Sequence, residues 1–209
     1  MKVILVNGSP RENGSTATAL GEIEKTLKEE GIETELLQVG KEPIKSCTEC
    51  MACLKTGGIC AFDGDIVNEI IKKIDTTDGF IFGSPVFYAS PTGSILSVLD
   101  RVFYAAGDKF AGKPGAAVTA ARRAGTTAAL DVIQKYFPIN GMPIVPTQYW
   151  PMVFGRKPGD AEQDLEGMQT MGVLARNMAW MLKCFELGKE NGVPYPALED
   201  KRAWTHFIR

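Results

Sequence analysis

Apolar and polar positions alternate between two periods along the chain. Lys2 to Val6 is a short apolar run of buried-strand character, and it stops at Asn7-Gly8-Ser9-Pro10. Leu20, Ile23 and Leu27 then recur at helical spacing, Glu24 and Lys28 stand where they pair on a helix surface, and Gly31 supplies a stop. Glu33 to Val39 predicts a second strand. After a cysteine-rich stretch, Ile66, Ile70, Ile71 and Ile74 return to the helical period. Gly79-Phe80-Ile81-Phe82-Gly83 predicts a buried parallel strand, and Ile95, Leu96, Leu99, Val102 and Phe103 mark the next helix. Gly115 to Ala120 is a small-residue strand, followed by a helix with Leu130, Ile133 and Phe137. A fifth strand is expected over Pro143 to Tyr149, with a weak signal because Pro146 interrupts it. A long helix from Asp160 to Leu187 carries Leu165, Met168, Met171, Leu174 and Met178. Cys184, in the same stretch, reads as a core cysteine.

Strand–helix alternation with five strands predicts an α/β fold around a parallel sheet, because parallel neighbours need crossover helices. From Asn191-Gly192-Val193-Pro194 onward the periodicity is lost. The expected organisation is a domain over residues 1–188, with a cysteine-rich loop at 44–64. An extension over 189–209 would pack on the core or on a neighbouring subunit.

Composition narrows the function. The chain has 209 residues, a net charge of −2, 44% hydrophobic and 23% charged residues. That is ordinary for a globular domain and gives no general attraction to nucleic acid. No apolar run approaches the roughly 20 residues of a membrane helix. The opening Met1 to Asn7 is too short for a signal peptide, so the expected location is cytoplasmic. The one histidine, His206, sits near the end of the sequence, which disfavours any mechanism built on a central histidine base.

The first strand–helix connection is Gly8-Ser9-Pro10-Arg11-Glu12-Asn13-Gly14-Ser15-Thr16. Parallel sheets bind ligands at the carboxyl ends of their strands, and a helix N-terminus offers free N–H groups and a positive dipole. Two glycines, three hydroxyls and Arg11 are what a phosphate monoester needs. The pattern is neither a Walker loop nor a dinucleotide fingerprint. The alternative is a plain turn with Ser15 or Thr16 capping the helix.

The third strand leads into Gly83-Ser84-Pro85-Val86-Phe87-Tyr88-Ala89-Ser90-Pro91-Thr92-Gly93, and the fourth into Ala121-Arg122-Arg123-Ala124-Gly125-Thr126. Aromatics beside Pro and Gly suit a flat ring, and the paired arginines suit an anionic ring or phosphate. A Pro-rich turn with core aromatics and a solvated charged turn are the alternatives. Convergence of three loops on one sheet edge weighs more than any loop alone.

Cys47-x-x-Cys50-x-x-Cys53-x6-Cys60 is the sharpest signal. Four closely spaced thiolates fit the ligand count of a [4Fe–4S] cube. A tetrathiolate zinc site and metal-free redox thiols are the competing readings.

Taken together, Gly8-Ser9-Pro10-Arg11 with Gly14-Ser15-Thr16, the cysteine run and Gly83-Ser84-Pro85-Val86 resemble the iron–sulfur flavoprotein branch of the NADPH-dependent FMN reductase family. The resemblance runs from Met1 to about Ile144. It implies a flavodoxin-like three-layer sandwich with a five-stranded parallel sheet in order 2-1-3-4-5 and the cysteine loop after the second strand. It implies FMN, with Ser9, Arg11, Asn13, Ser15 and Thr16 on the phosphate. Pro85, Val86, Phe87 and Tyr88 would line the isoalloxazine, and Arg122, Arg123 and Gly125 would form a third flavin loop. The cluster ligands would be Cys47, Cys50, Cys53 and Cys60. Two departures stand out: Phe87-Tyr88 reverses the usual Tyr-Phe order, and Asp63-Gly64-Asp65 keeps one of two paired Asp in register. NAD(P)H, ferredoxin or both would donate electrons to a small-molecule or protein acceptor. Tyr195, Trp204 and Phe207 in the extension lead to the expectation of a homodimer or homotetramer.

Overall fold

A computed structural model of the chain describes residues 1–196 and Thr205. Strands form where the apolar runs lie: β1 (Lys2–Asn7), β2 (Glu33–Gln38), β3 (Gly79–Pro85) and β4 (Gly115–Ala121). With β5 (Met152–Phe154) they make one parallel sheet in the order β2-β1-β3-β4-β5. Central β1, β3 and β4 are buried almost throughout, which is why they read as continuous apolar runs; β2, at an edge, keeps exposed Glu33 and Leu36.

Side chains alternate across the sheet and build two cores. Val3, Leu5 and Ile81 pack against α1 (Ser15–Glu29) and α6 (Leu165–Glu190). Ile4, Val6, Phe80 and Phe82 pack against α2 (Ile66–Lys73), α3 (Gly93–Ala106), α4 (Thr126–Gln134) and the short α5 (Tyr136–Ile139). The result is the expected flavodoxin-like three-layer sandwich.

Two expectations and one alternative need correction. The fifth strand is Met152–Phe154, not Pro143–Tyr149. The earlier segment makes only an isolated bridge, Gly115 to Ile144, with Gly115 N–H on the Pro143 carbonyl at 2.9 Å and Val145 N–H on the Gly115 carbonyl at 3.0 Å. Proline cannot donate at 146, and the chain leaves the edge until Thr119 N–H meets the Pro151 carbonyl at 3.0 Å. Cys184 is exposed, not in the core, because the buried face of α6 ends at Leu182. Neither Ser15 nor Thr16 caps α1: the N-cap is Gly14, which has no side chain to offer. Trp204 and Phe207 of the expected extension lie outside the described residues. Tyr195 packs over Gly112, its ring 2.7 Å from where a Cβ would stand.

Candidate functional site

The carboxyl ends of β1, β2 and β3 are tied together by polar side chains that the sequence reading missed. Asn7, fully buried, donates its Nδ2 to Gln38 Oε1 at 2.8 Å and receives Ser9 N–H on Oδ1 at 3.0 Å. Gln38 Nε2 donates to the Ser9 carbonyl at 2.5 Å, and Ser9 Oγ receives Arg11 N–H at 3.1 Å. Gly8 N–H donates to the Gly83 carbonyl at 2.8 Å. Gly8 has no alternative here: a Cβ would stand 2.7 Å from Ile95 Cβ and 2.8 Å from the Gly83 oxygen.

The connection from β1 thus enters α1 in a fixed shape. With Gly14 as N-cap, the first-turn N–H groups receive no side-chain cap, and the helix opens with Thr18 N–H on the Gly14 carbonyl at 3.0 Å. Ser9 and Thr16 are buried, Ser15 is half-buried, and Arg11 and Asn13 are exposed. Uncapped donors beside hydroxyls and an exposed arginine are what an anion cradle requires.

Thr92 joins this loop to the next. It caps α3 by accepting Ile95 N–H at 3.3 Å, donates Oγ1 to the Gly8 carbonyl at 2.9 Å and receives support from Ser84 Oγ, which accepts Thr92 N–H at 3.0 Å. Between them, Phe87 and Ser90 exchange backbone hydrogen bonds of 2.8 and 3.0 Å around Tyr88 (φ 50°) and Ala89 (φ 60°). Two adjacent non-glycine residues in the left-handed region form a strained tight turn, the kind that gathers at ligand sites. Pro85 and Val86 are half-buried and Phe87 half-exposed, whereas the Tyr88 side chain is fully exposed at 105%. Gly125 (φ 91°) packs into this turn: a Cβ there would lie 2.8 Å from Ala89 Cα and 2.9 Å from Val86 Cγ1. The second and third loops are therefore in contact, with Arg122 and Arg123 exposed beside them. A fourth connection also reaches the edge. After β5, a Cβ on Gly155 would fall 2.7 Å from Ser15 Oγ. Asp160, which accepts the N–H groups of Arg156 and Lys157, is held below the usual carboxylate range by those bonds.

The four cysteines of the run line one small cavity. Cys53 is buried, Cys47 and Cys60 are half-buried and Cys50 is exposed. The loop is laid along one stripe of α3. Ser46 and Ser97 hydroxyls meet at 3.1 Å, Tyr104 donates to Met51 Sδ at 3.0 Å, and Gly58 (φ 92°) approaches the Ala105 carbonyl. Arg101 lies between them and reaches the Cys60 sulfur. Asn68, 4% exposed, holds Cys60 by its backbone, accepting its N–H at 2.9 Å and donating to its carbonyl at 3.0 Å. Burial, then Glu49 and the cysteines, push the Tyr104 phenol up. Among the described residues no three His, Cys, Asp or Glu side chains are drawn together enough to hold a single metal ion. The four thiols line one pocket without converging on a single point.

Fold and loops define a flavodoxin-like protein with its ligand edge at the carboxyl ends of the strands. Comparisons with known proteins agree. The family model described as NADPH-dependent FMN reductase matches residues 1–157. An iron-sulfur flavoprotein of Methanocaldococcus jannaschii is 34% identical over 191 residues, covering 88% of this chain and 98% of its own. One from Methanosarcina thermophila is 27% identical, covering 91% and 100%. Among solved structures, a flavone reductase superposes with TM-score 0.68 at 18% identity, covering 89% of this chain and 64% of its own. The flavoenzyme NAD(P)H:(acceptor) oxidoreductase of Paracoccus denitrificans gives 0.63 at 16%, covering 87% and 97%. At those identities the structural likenesses speak for the fold alone.

The chain belongs to the NADPH-dependent FMN reductase family. It is an FMN-dependent oxidoreductase, and FMN is its flavin.

Proposed function

We propose that this oxidoreductase exchanges electrons between FMN and a [4Fe–4S] cluster held by Cys47, Cys50, Cys53 and Cys60. The observation that carries the reading is the gathering of four cysteines around one cavity on the helix whose N-terminus helps build the flavin edge. The similarity to proteins named iron-sulfur flavoproteins supports it. A tetrathiolate zinc site needs every sulfur about 2.3 Å from one point, whereas a cube takes one thiolate at each of four separated irons. When bound, FMN supplies two-electron and one-electron exchange, and a cluster supplies one-electron exchange.

The chain's own residues bind and orient. Ser9, Arg11, Asn13, Ser15 and Thr16, with the uncapped end of α1, hold the phosphate. Pro85, Val86, Phe87 and Tyr88 would line the ring, and Gly125 lets the third loop close on them. Arg122 and Arg123 offset negative charge on the flavin. No side chain is needed as acid or base. The electron donor is NAD(P)H, ferredoxin or both, and the acceptor is a small molecule or a protein. The protein is a cytoplasmic homodimer or homotetramer. Its flavodoxin-like domain spans 1–188 and its extension 189–209.

The test is an anaerobic visible spectrum paired with iron and acid-labile sulfide assays. Flavin bands with about four iron and four sulfide per chain are expected, with loss of both on Cys50→Ala. Flavin without iron after reconstitution would move the function to a cluster-free NAD(P)H-dependent FMN or quinone reductase. The exposure of Cys50 favours an oxidant-responsive thiol in that case. Scattering mass at low micromolar concentration tests the assembly, and a clean monomer would overturn it.

A further inference from the structure

Arg101 is 1% exposed and heads the largest fully buried side chains of the protein. A buried guanidinium needs partners for its fork of N–H groups. All of those observed lie in the cysteine loop or at its end. Nη1 donates to the Lys45 carbonyl at 3.2 Å and to the Asp65 carboxylate; Nη2 donates to the Phe62 carbonyl at 2.7 Å; Nε donates to Cys60 Sγ at 3.3 Å. Lys45 precedes the first cysteine of the run, and the other three partners begin at the last. One side chain on α3 therefore holds both ends of the loop shut around the cavity. Phe62 adds a second tie, its ring carrying Lys45 Nζ at 3.9 Å and the Arg101 guanidinium at 5.7 Å.

We infer that Arg101 is the positioning residue of the cysteine site: it closes the loop into the form that receives a cluster and directs an N–H at the Cys60 sulfur. The inference rests on the cluster reading above. A purely structural role would need only Asp65, which would already join Arg101 to the start of α2. Buried ion pairs are also poor stability devices, since packed apolar residues of similar size often replace them without loss. Four contacts spent on one loop, one of them on a sulfur, indicate geometry as the purpose. An N–H donated to a ligating thiolate favours the more negative, reduced centre and so raises its potential.

Arg101→Gln and Arg101→Lys in the full-length protein test this through three readouts besides activity. Hydrogen exchange is measured over residues 45–65 before iron loading. Iron retention is followed during a chelator challenge. The midpoint potential is taken from a titration followed by electron paramagnetic resonance. FMN content is expected to stay at the wild-type level. Exchange over the loop accelerates, and iron affinity falls about 10–100-fold, as for other residues that orient metal ligands. The potential of any remaining cluster falls by about tenfold in the redox equilibrium constant, 59 mV for one electron. Lysine keeps a cation opposite Asp65 but has no fork, so it should not rescue. Wild-type behaviour of Arg101→Lys in all three readouts overturns the inference, as does loss of iron with the potential unmoved. Should both variants lose FMN and fail to fold, Arg101 is a residue of the fold and the inference also fails. If the wild-type protein takes up no iron, the cluster reading fails by itself, and the exchange data still decide whether Arg101 closes the loop.

Discussion

Gly8 is the residue on which the flavin edge turns. Its backbone lies against Gly83 and its missing side chain against Ile95, so the β1 connection, β3 and α3 meet at a point with no spare volume. Gly8→Ala inserts a methyl that would stand under 3 Å from three atoms of Ile95 and Gly83. We expect a loss of about 1–3 kcal/mol in chemical unfolding, in the range of overpacked sites, together with weaker FMN retention measured by flavin fluorescence. An unchanged midpoint would mean that the loop slides to admit the methyl. Residues of this kind are legible in the sequence, because a glycine after an apolar run announces a turn. Asn7 and Arg101 are not. An Asn at a strand end looks like punctuation, and an Arg beside Leu99, Val102 and Phe103 looks like the wet side of an amphipathic helix. One signal was available: Ser97, Arg101, Tyr104 and Ala105 recur at i, i+4, i+7 and i+8, a second stripe on α3 that needed a partner.

Among the elements, α3 connects the two regions. Its cap, Thr92, also ties the first loop to the second through the Gly8 carbonyl. Thr92→Val removes the cap and leaves a buried carbonyl unpaired. The expected cost is about 2 kcal/mol in unfolding, with looser FMN binding; a change below about 0.5 kcal/mol would show that water replaces the hydroxyl. A second element-scale expectation concerns edge strand β2. Glu35 is held below the usual carboxylate range first by Lys2 and then by Lys73. A carboxyl lowered on folding stabilises above its unfolded value, here 4.5, and that stability drains as the pH falls through the lower folded value. Glu35→Gln should therefore lower Tm by about 1–2 °C at pH 7 and by progressively less below pH 4, a partly exposed site limiting the effect. A constant difference across that range would exclude charge as the cause. The central strands were legible because burial on both faces leaves uninterrupted apolar runs. β5 was not: it is three residues long, lies at an edge and follows a proline-broken approach. The end of α6 misled for the opposite reason, since its apolar residues continue past Leu182, where its burial ends.

At the scale of the whole molecule, the spacing of the two regions follows from α3. Arg101 stands nine positions after Thr92, which at 1.5 Å per residue is about 14 Å along a rigid rod packed on the sheet. The flavin edge sits at one end of that rod, and the cysteine cavity lies along its flank. The chemistry proposed for the molecule is electron exchange, and its capacity is countable. Anaerobic reductive titration should consume about three electrons per chain in iron-loaded protein, two for FMN and one for a cluster. Cys50→Ala should consume about two while keeping its flavin, because its cavity loses one ligand while the edge 8–16, 85–92 and 122–126 is untouched. Wild-type protein that holds four iron yet stops at two electrons would place the iron outside the redox chemistry. Wild-type protein that stops at two and holds no iron would leave a flavin reductase whose four gathered cysteines act as thiols.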